Sequence, residues 1–331
     1  MTEGVARRAP TLSDLLRASS RTFAIGIERL PGELRETVRL SYLLLRVSDY
    51  LEDNEEMAPG RKVALLSMWD GVLAGSESVE RFMAELSFPD PITSDALVAS
   101  HVARLLAALN ALPHRYREPV VRHVRDSTRG MARWTASGPR IVSEADLDDY
   151  MHEVAGRVGY LLTDLFSAHS LRIRRRRERL LPLSREFGLG LQTVNVIRGL
   201  RKDYERGWIY VPESYVSPYG ITREELFDVR NSAVALRVLD RLVLKAEHHL
   251  RAAEEYTRAL PRRDHAIRLA CLYPLMFAVR TLAVSRRNAL VFESEAKITR
   301  SEVRRIVRRS TLLGWSNRWI GSYARRLAEV G

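Results

Sequence analysis

The sequence predicts a single all-α domain over residues 1–331, and three observations carry the prediction. Apolar residues recur at three- and four-residue steps through most of the chain. Period-2 alternation is almost absent. Prolines and glycines, with no Gly/Ser linker or low-complexity tract, separate the periodic segments. A helical bundle of this length can enclose a deep apolar cavity.

In chain order, Ser13-Asp14 is a helix start, with a carboxylate near the positive end of the helix dipole. After Pro31-Gly32 the spacing predicts a helix over 35–53. Pro59-Gly60 and Pro89 to Pro91 are breakers, and a helix over 97–111 runs up to Pro113. Another over 117–134 ends before Gly138-Pro139, and Ser143-Glu144 opens one over 144–169. Helices over 180–204, 231–258 and 264–290 follow, punctuated by Pro218 to Gly220 and Pro261, with Thr222-Arg223-Glu224 as a further start. Residues 301–331 form a basic amphipathic helical segment that mixes Arg304, Arg305, Arg308 and Arg309 with Leu312, Leu313, Trp315 and Trp319. Such a helix either packs its apolar side on the domain or lies on a membrane surface.

Composition narrows the class. The single cysteine, Cys271, excludes a disulfide framework and a Cys-rich metal site and suits a reducing compartment. The N-terminus lacks the apolar core of a signal peptide. No uninterrupted apolar run approaches the ~20 residues of a membrane span. A cytoplasmic monomer is expected, peripheral at the inner face of the membrane if the C-terminal segment binds there. The net charge of +12 suits phosphate-rich partners. The densest basic run, Arg172 to Arg179, holds no aromatic residue for base stacking, so it reads as a connector or helix end, and no nucleic-acid partner is expected.

Two constellations carry chemistry. In "YLLLRVSDYLED" (42–53), steps of four, three and four put Tyr42, Arg46, Asp49 and Asp53 on one helix face, with Glu52 beside them. Carboxylates at i and i+4 repel unless a cation bridges them, and Mg²⁺ with substrate phosphates is the natural bridge. A surface acidic patch paired with arginines is the plain alternative. On the second face, Gln192, Asn195, Gly199 and Asp203 align, with Arg198 as a bidentate phosphate clamp. Neither Glu205 nor Arg206 supplies the carboxylate missing at 199. Glu205 lies about 200° round the helix from Asp203, and Arg206 has the wrong sign. Two acid-bearing helices facing across a cavity form a diphosphate–magnesium site.

Four ordered stretches resemble the squalene and phytoene synthases, and among them the squalene synthases. "SRTFAIGIERLPGELRETVRLSYLLLRVSDYLED" (20–53) looks like the opening Ser-Arg-Ser-Phe segment and first aspartate-rich motif. "DYMHEVAGRVGYLLTDLF" (149–166) resembles the Tyr-Cys-x-x-Val-Ala-Gly-x-Val-Gly helix, with Met151 in place of Cys. "FGLGLQTVNVIRGLRKDYERGWIYVP" (187–212) resembles the second aspartate-rich motif, and "CLYPLMFAVRTL" (271–282) a Cys-x-x-Pro segment of squalene synthases.

The resemblance implies an isoprenoid synthase fold, a helical bundle around a deep central cavity. It implies prenyl transfer: head-to-head condensation of two farnesyl diphosphates, through presqualene diphosphate, to squalene, with Mg²⁺ (or Mn²⁺) and NADPH. Asp49, Glu52, Asp53 and Asp203 would bind metal. Arg21, Tyr42, Arg46, Gln192, Asn195 and Arg198 would surround diphosphate. Tyr150 would act beside the first reacting centre as proton acceptor or cation stabiliser. Phe23, Val154, Leu161, Phe166, Leu191, Cys271, Pro274 and Leu275 are implied walls, although each also fits a plain core. Gly156 and Gly159 would thin that wall or let helices pack closely. Ser20, Arg21, Phe23, Asn288 and Lys297 are implied for NADPH, since no Gly-rich dinucleotide fingerprint is present.

Two positions depart from the pattern. Gly199 stands where the family carries Asp, and Trp208 where squalene synthases often carry Arg. Three readings follow: a squalene synthase in which three aspartates still hold the metals; an enzyme that stops at presqualene diphosphate or hydroxysqualene, or makes phytoene or dehydrosqualene; and a non-catalytic assembly protein retaining the fold. Retention of the first motif and Tyr150 favours catalysis.

Overall fold

Capping and proline chemistry set where the helices start and stop. The computed structural model describes residues 10–90, 92–138 and 140–329. Among the described residues all regular structure is helical. The chain opens with α1 (Leu12–Ser19), α2 (Arg21–Ile27) and α3 (Gly32–Asp53). Thr11, not Ser13, caps α1, in a reciprocal box with Asp14. Next come α4 (Pro59–Ala74), α5 (Val79–Ala84), α6 (Ser94–Ala99), α7 (Val102–Asn110) and α8 (His114–Ser137). Pro59 opens α4 instead of breaking a helix, because a first-turn residue needs no N–H partner. The helix expected over 97–111 is two helices. Ser100 Oγ donates to the Leu97 carbonyl at 2.8 Å and His101 Nδ1 bonds the same oxygen at 2.8 Å, competing with the backbone ladder there.

The middle of the chain holds α9 (Glu144–Met151), a π-helical turn over His152–Gly156, α10 (Arg157–His169), α11 (Leu171–Arg174) and α12 (Arg177–Glu205). Ser143 caps α9 as the sequence predicts. After α13 (Glu213–Val216), the start expected at Thr222 yields only 3₁₀ turns, the first over Glu224–Phe227. The last helices are α14 (Ser232–Ala259), α15 (His265–Ser285), α16 (Arg300–Leu313) and α17 (Asn317–Ala328). The C-terminal segment is thus two helices, the second capped by Ser316. Both pack on α15 through Ile306, Ile320 and Tyr323, while Leu312, Leu313 and Trp315 stay exposed. By length and composition α15 could cross a membrane, but 72% of its apolar stretch is buried, as befits a core helix.

The long α12 is the spine. It packs against α14 on one side, α10 and the π turn on another, and α15. Three glycines make the crossing with the π turn and α10 close. A Cβ on Gly159 would stand 1.9 Å from the Ser184 carbonyl oxygen, one on Gly188 2.3 Å from that of Ala155, and one on Gly156 2.6 Å from His152 Nδ1. Close packing is therefore the role of both glycines of the Tyr150 segment. Gly156, expected at the cavity wall, faces its own turn and Leu189 instead.

Arginines of the 172–179 run pair with neighbouring elements of the fold. Arg172 pairs with Asp264 at 2.9 Å, Arg177 with Asp164 at 2.7 Å and Arg179 with Glu255 at 3.2 Å, and Arg176 donates to the Ala259 carbonyl at 2.6 Å. Asp164 also accepts from Arg122 at 2.8 Å and bonds His123 Nε2 at 2.9 Å, tying α8, α10 and α12 together. Burial opposes its charge, but His123 and Arg177 hold its carboxyl down at about 2. The folded pKa lies below the unfolded value, so this stabilisation is present above about pH 4 and fades as pH falls through about 2. Asp164→Asn is expected to cost about 2 kcal/mol at pH 7. Urea melts of both proteins should converge as pH falls from 4 toward 2; an unchanged gap would mean the loss is one of packing.

Candidate active site

Helices α2, α3, α10, α12 and α15 surround a cavity of about 510 Å³, the size range of small-molecule sites. Its mouth is acidic and its interior apolar. The C-terminal turns of α3 and α12 meet at the mouth, bringing Asp49, Glu52 and Asp53 opposite Asp203. Both helix ends carry the negative pole of the macrodipole, which favours cations and penalises carboxylates left without one.

The carboxylates record that strain. Burial pushes Asp49 up to about 6, against the pull of Arg46 and with added repulsion from Asp53. Burial first, then Asp53 and Asp49, holds Glu52 well above the usual range. Asp203 is raised by burial despite Arg206 beside it. Glu52 Oε1 is buried and has no hydrogen-bond partner. A set of hard oxygen donors, one of them orphaned and all crowded by like charge, fits a divalent cation such as Mg²⁺ or Mn²⁺.

Polar side chains ring the acids. Arg46 donates to Asp49 at 2.7 Å and to Asp95 at 3.0 Å. Asn195 Nδ2 lies 3.4 Å from Gln192 Oε1, and Arg198 is exposed at the mouth. Tyr42 lines the wall against Phe23, their ring centroids 6.0 Å apart. Tyr150 is buried, and its hydroxyl bonds that of Tyr210 at 3.0 Å with the rings stacked 4.9 Å apart. Burial, with the charge of Glu52 next, raises both phenols well above their usual pKa. Deeper in, Val154, Gly159, Leu161, Phe166, Leu191, Cys271 and Pro274 line the cavity. Burial lifts the Cys271 thiol to about 12, so it stays protonated. Tyr256 joins this wall, its hydroxyl 2.9 Å from Thr163 Oγ1.

Other expected residues lie elsewhere. Leu275 is fully buried in the core and does not line the cavity, although it lies one turn after Cys271 and next to Pro274 on α15. Arg21 is exposed and outside the lining. Ser20 caps α2, and Asn288 caps the 3₁₀ turn over Ala289–Phe292. Lys297 is exposed and pairs with Glu295. Arg21 and Lys297 nevertheless sit two residues from the wall side chains Phe23 and Glu295.

Spacing alone missed four mouth residues: Lys202, Arg206, Tyr210 and Glu295. Arg206 pairs with Asp203 at 2.7 Å and with Asp53 at 3.5 Å, so one guanidinium links the two acid-bearing helices. Its sequence signal was its place three residues after Asp203. Tyr210 had none, because it arrives through a reversal of the chain. Gly207, at φ 76°, ends α12 in the left-handed conformation, and Trp208 N–H reaches back to the Asp203 carbonyl at 2.8 Å. Trp208 then stacks on Tyr210, ring centroids 5.8 Å apart. Burial opposes ionisation of Glu295, but Lys297, then Arg198 and Lys202, hold its carboxyl low.

Known proteins resemble this chain in sequence and fold. The squalene synthase of Bos taurus is 30% identical over 290 residues, covering 87% of this chain and 66% of that protein. That of Schizosaccharomyces pombe is 29% identical over 325 residues, covering 94% of this chain and 67% of the relative. The chain thus spans about two thirds of the length of these relatives. The solved complex of TcSQS with the ligand BPH1237 superimposes with a TM-score of 0.82 at 26% identity, over 96% of this chain and 90% of that one. A dehydrosqualene synthase in complex with ligand shares the fold, with a TM-score of 0.63 at 17% identity over 95% of each chain. The model of the squalene/phytoene synthase family matches residues 16–302, and with an all-α isoprenoid synthase fold whose two acid-bearing helices meet at the cavity mouth, the chain belongs to that family.

Proposed function

We propose that the protein is a prenyltransferase that condenses two farnesyl diphosphates head to head, through presqualene diphosphate, to squalene. The observation that carries this reading is the pairing of four carboxylates from α3 and α12 with an apolar cavity behind them. Asp49, Glu52, Asp53 and Asp203 would hold Mg²⁺, which when bound supplies positive charge to the departing diphosphate. Arg46, Arg198, Gln192 and Asn195 would bind the diphosphate oxygens. Tyr42, Phe23 and the deeper wall exclude water, so that an allylic cation survives long enough to be attacked by the second double bond. The paired hydroxyls of the neutral Tyr150 and Tyr210 would turn oxygen lone pairs toward that cation. Tyr150 Oη would accept the proton lost as the new carbon–carbon bond forms while giving up its own phenolic proton toward the released diphosphate, so that the side chain stays neutral throughout. Arg21 and Lys297 would hold the phosphates of NADPH, which when bound would supply the hydride that ends the sequence.

Gly199 and Arg206 favour a second reading. One ligand is missing and a fixed cation stands between Asp53 and Asp203, which would tell most on the second ionisation and stop the enzyme at presqualene diphosphate or hydroxysqualene. One incubation separates the cases: purified protein with farnesyl diphosphate and Mg²⁺, with and without NADPH, products read by mass spectrometry. Squalene formed only with NADPH is the expected result. A cyclopropyl or hydroxylated product supports the second reading, and unchanged farnesyl and geranylgeranyl diphosphates would sink both in favour of a non-catalytic assembly role. We also propose that the exposed Leu312, Leu313 and Trp315, near the arginines of α16, contact an anionic membrane surface. Flotation with phosphatidylglycerol liposomes should fall severalfold in Leu312→Ser/Trp315→Ser; equal flotation would remove that contact.

A further inference from the structure

A second ligand-bearing cluster lies far along the spine helix from the aspartates. Glu186 on α12 and the adjacent His248 and His249 on α14 bring one carboxylate oxygen and two ring nitrogens within 4.8 Å of one another. Nearly five turns of α12, about 25 Å, separate Glu186 from Asp203. Glu186 does not line the cavity, and neither do the two histidines.

His249 sits between two carboxylates. It is only 4% exposed, and its Nδ1 lies 2.6 Å from Glu186 Oε2. Its Nε2 has no hydrogen-bond partner and faces Asp148 Oδ1 at 3.8 Å. An imidazole so flanked can give one nitrogen to a metal and the other N–H to an outer carboxylate that fixes its tautomer. Asp148 is itself held by Lys245 at 2.6 Å. The second oxygen of Glu186 accepts from Arg185 at 2.8 Å, which leaves Oε2 for the ion. His248, on the solvent side, is free to swing in.

We propose that Glu186, His248 and His249 bind one divalent transition-metal ion of the Zn²⁺ class, with Asp148 positioning His249. Two imidazoles and one carboxylate suit zinc far better than magnesium, and three protein ligands leave the fourth tetrahedral position to water. Bonds of about 2.1 Å in a tetrahedron require ligand atoms about 3.4 Å apart, so on loading the 2.6 Å contact between Glu186 Oε2 and His249 Nδ1 opens to admit the ion while the His248 ring nitrogen, within 4.8 Å of both, moves in. The ion clips α14 to α12 at the end remote from the aspartates. This inference is independent of the proposed reaction.

The test is equilibrium dialysis of the whole protein against micromolar Zn²⁺ with millimolar Mg²⁺ present to occupy the oxygen-rich mouth. One zinc per chain is expected. H248A and E186Q should each weaken retention at least tenfold, whereas D53N should leave it unchanged. His248 is exposed, so H248A spares the core, and circular dichroism melts check that both variants fold. Loading with Co²⁺ should give visible absorption that H248A abolishes. No zinc retained by the wild type, or retention in H248A and E186Q equal to that of the wild type, would overturn the proposal; in that case the 2.6 Å contact is an ordinary His–Glu hydrogen bond.

Discussion

Asp53→Asn is expected to lower farnesyl diphosphate consumption about a thousandfold, comparable to losing a preorganised electrostatic contact to a transition state. It should do so without weakening the fold. Asp53 is the common neighbour of the mouth: its charge raises Asp49, Glu52 and Asp203, and it is half-exposed beside Arg206. Removing that charge relieves three repulsions, so the metal-free variant should melt at the same temperature or a few degrees higher. Activity gone with stability kept or gained is the signature of a group held in place for function. Turnover by the variant within tenfold of the wild type would take Asp53 out of the chemistry. A fall in melting temperature matching the loss of activity would make its role structural.

The helices were legible in the sequence because their apolar faces are periodic and their caps are local. Ser143 with Glu144, for example, marks the start of α9, where the structure adds Asp146 as the partner that completes the cap. The acid and amide faces of α3 and α12 were legible for the same reason: steps of three and four place Asp49 by Asp53, and Gln192 by Asn195, wherever the helix goes. What spacing does not encode is how one element meets another. The Leu97 carbonyl that ends α6 is claimed by two side chains whose rotamers no periodicity predicts. Tyr210 reaches Tyr150 only because Gly207 turns the chain back, and Glu295 reaches the mouth from an irregular segment. Arg206 was visible as a charge but not as a bridge, since its link to Asp53 crosses between α12 and α3. Gly156 and Leu275 went the other way. Both sit one helical step from true wall residues, and a small rotation of the helix decides between cavity and core.

Gly199→Asp is expected to lower the Mg²⁺ concentration for half-maximal rate by ten- to a hundredfold, the range of a lost or regained supporting contact. A Cβ at 199 would stand 3.0 Å from Asp203 Oδ2, so the Asp203 carboxylate leans back over the space left by the absent side chain. Arg206 holds it there at 2.7 Å. The new carboxylate would press on the far end of a flexible side chain, which can rotate away, and in doing so it would turn Asp203 toward the mouth. Without metal the two acids repel at i and i+4, offsetting the few tenths of a kcal/mol that replacing a mid-helix glycine contributes. The variant should therefore gain more thermal stability from added Mg²⁺ than the wild type does, and any cyclopropyl product should shift toward squalene when NADPH is present. An unchanged Mg²⁺ requirement would mean that Arg206 already supplies the charge an extra metal contact would bring. Arg206→Gln separates the two accounts. If Arg206 competes with the ion, its loss lowers the Mg²⁺ requirement as Gly199→Asp does; if it substitutes for the ion, its loss abolishes turnover and added Mg²⁺ restores it only when Asp stands at 199.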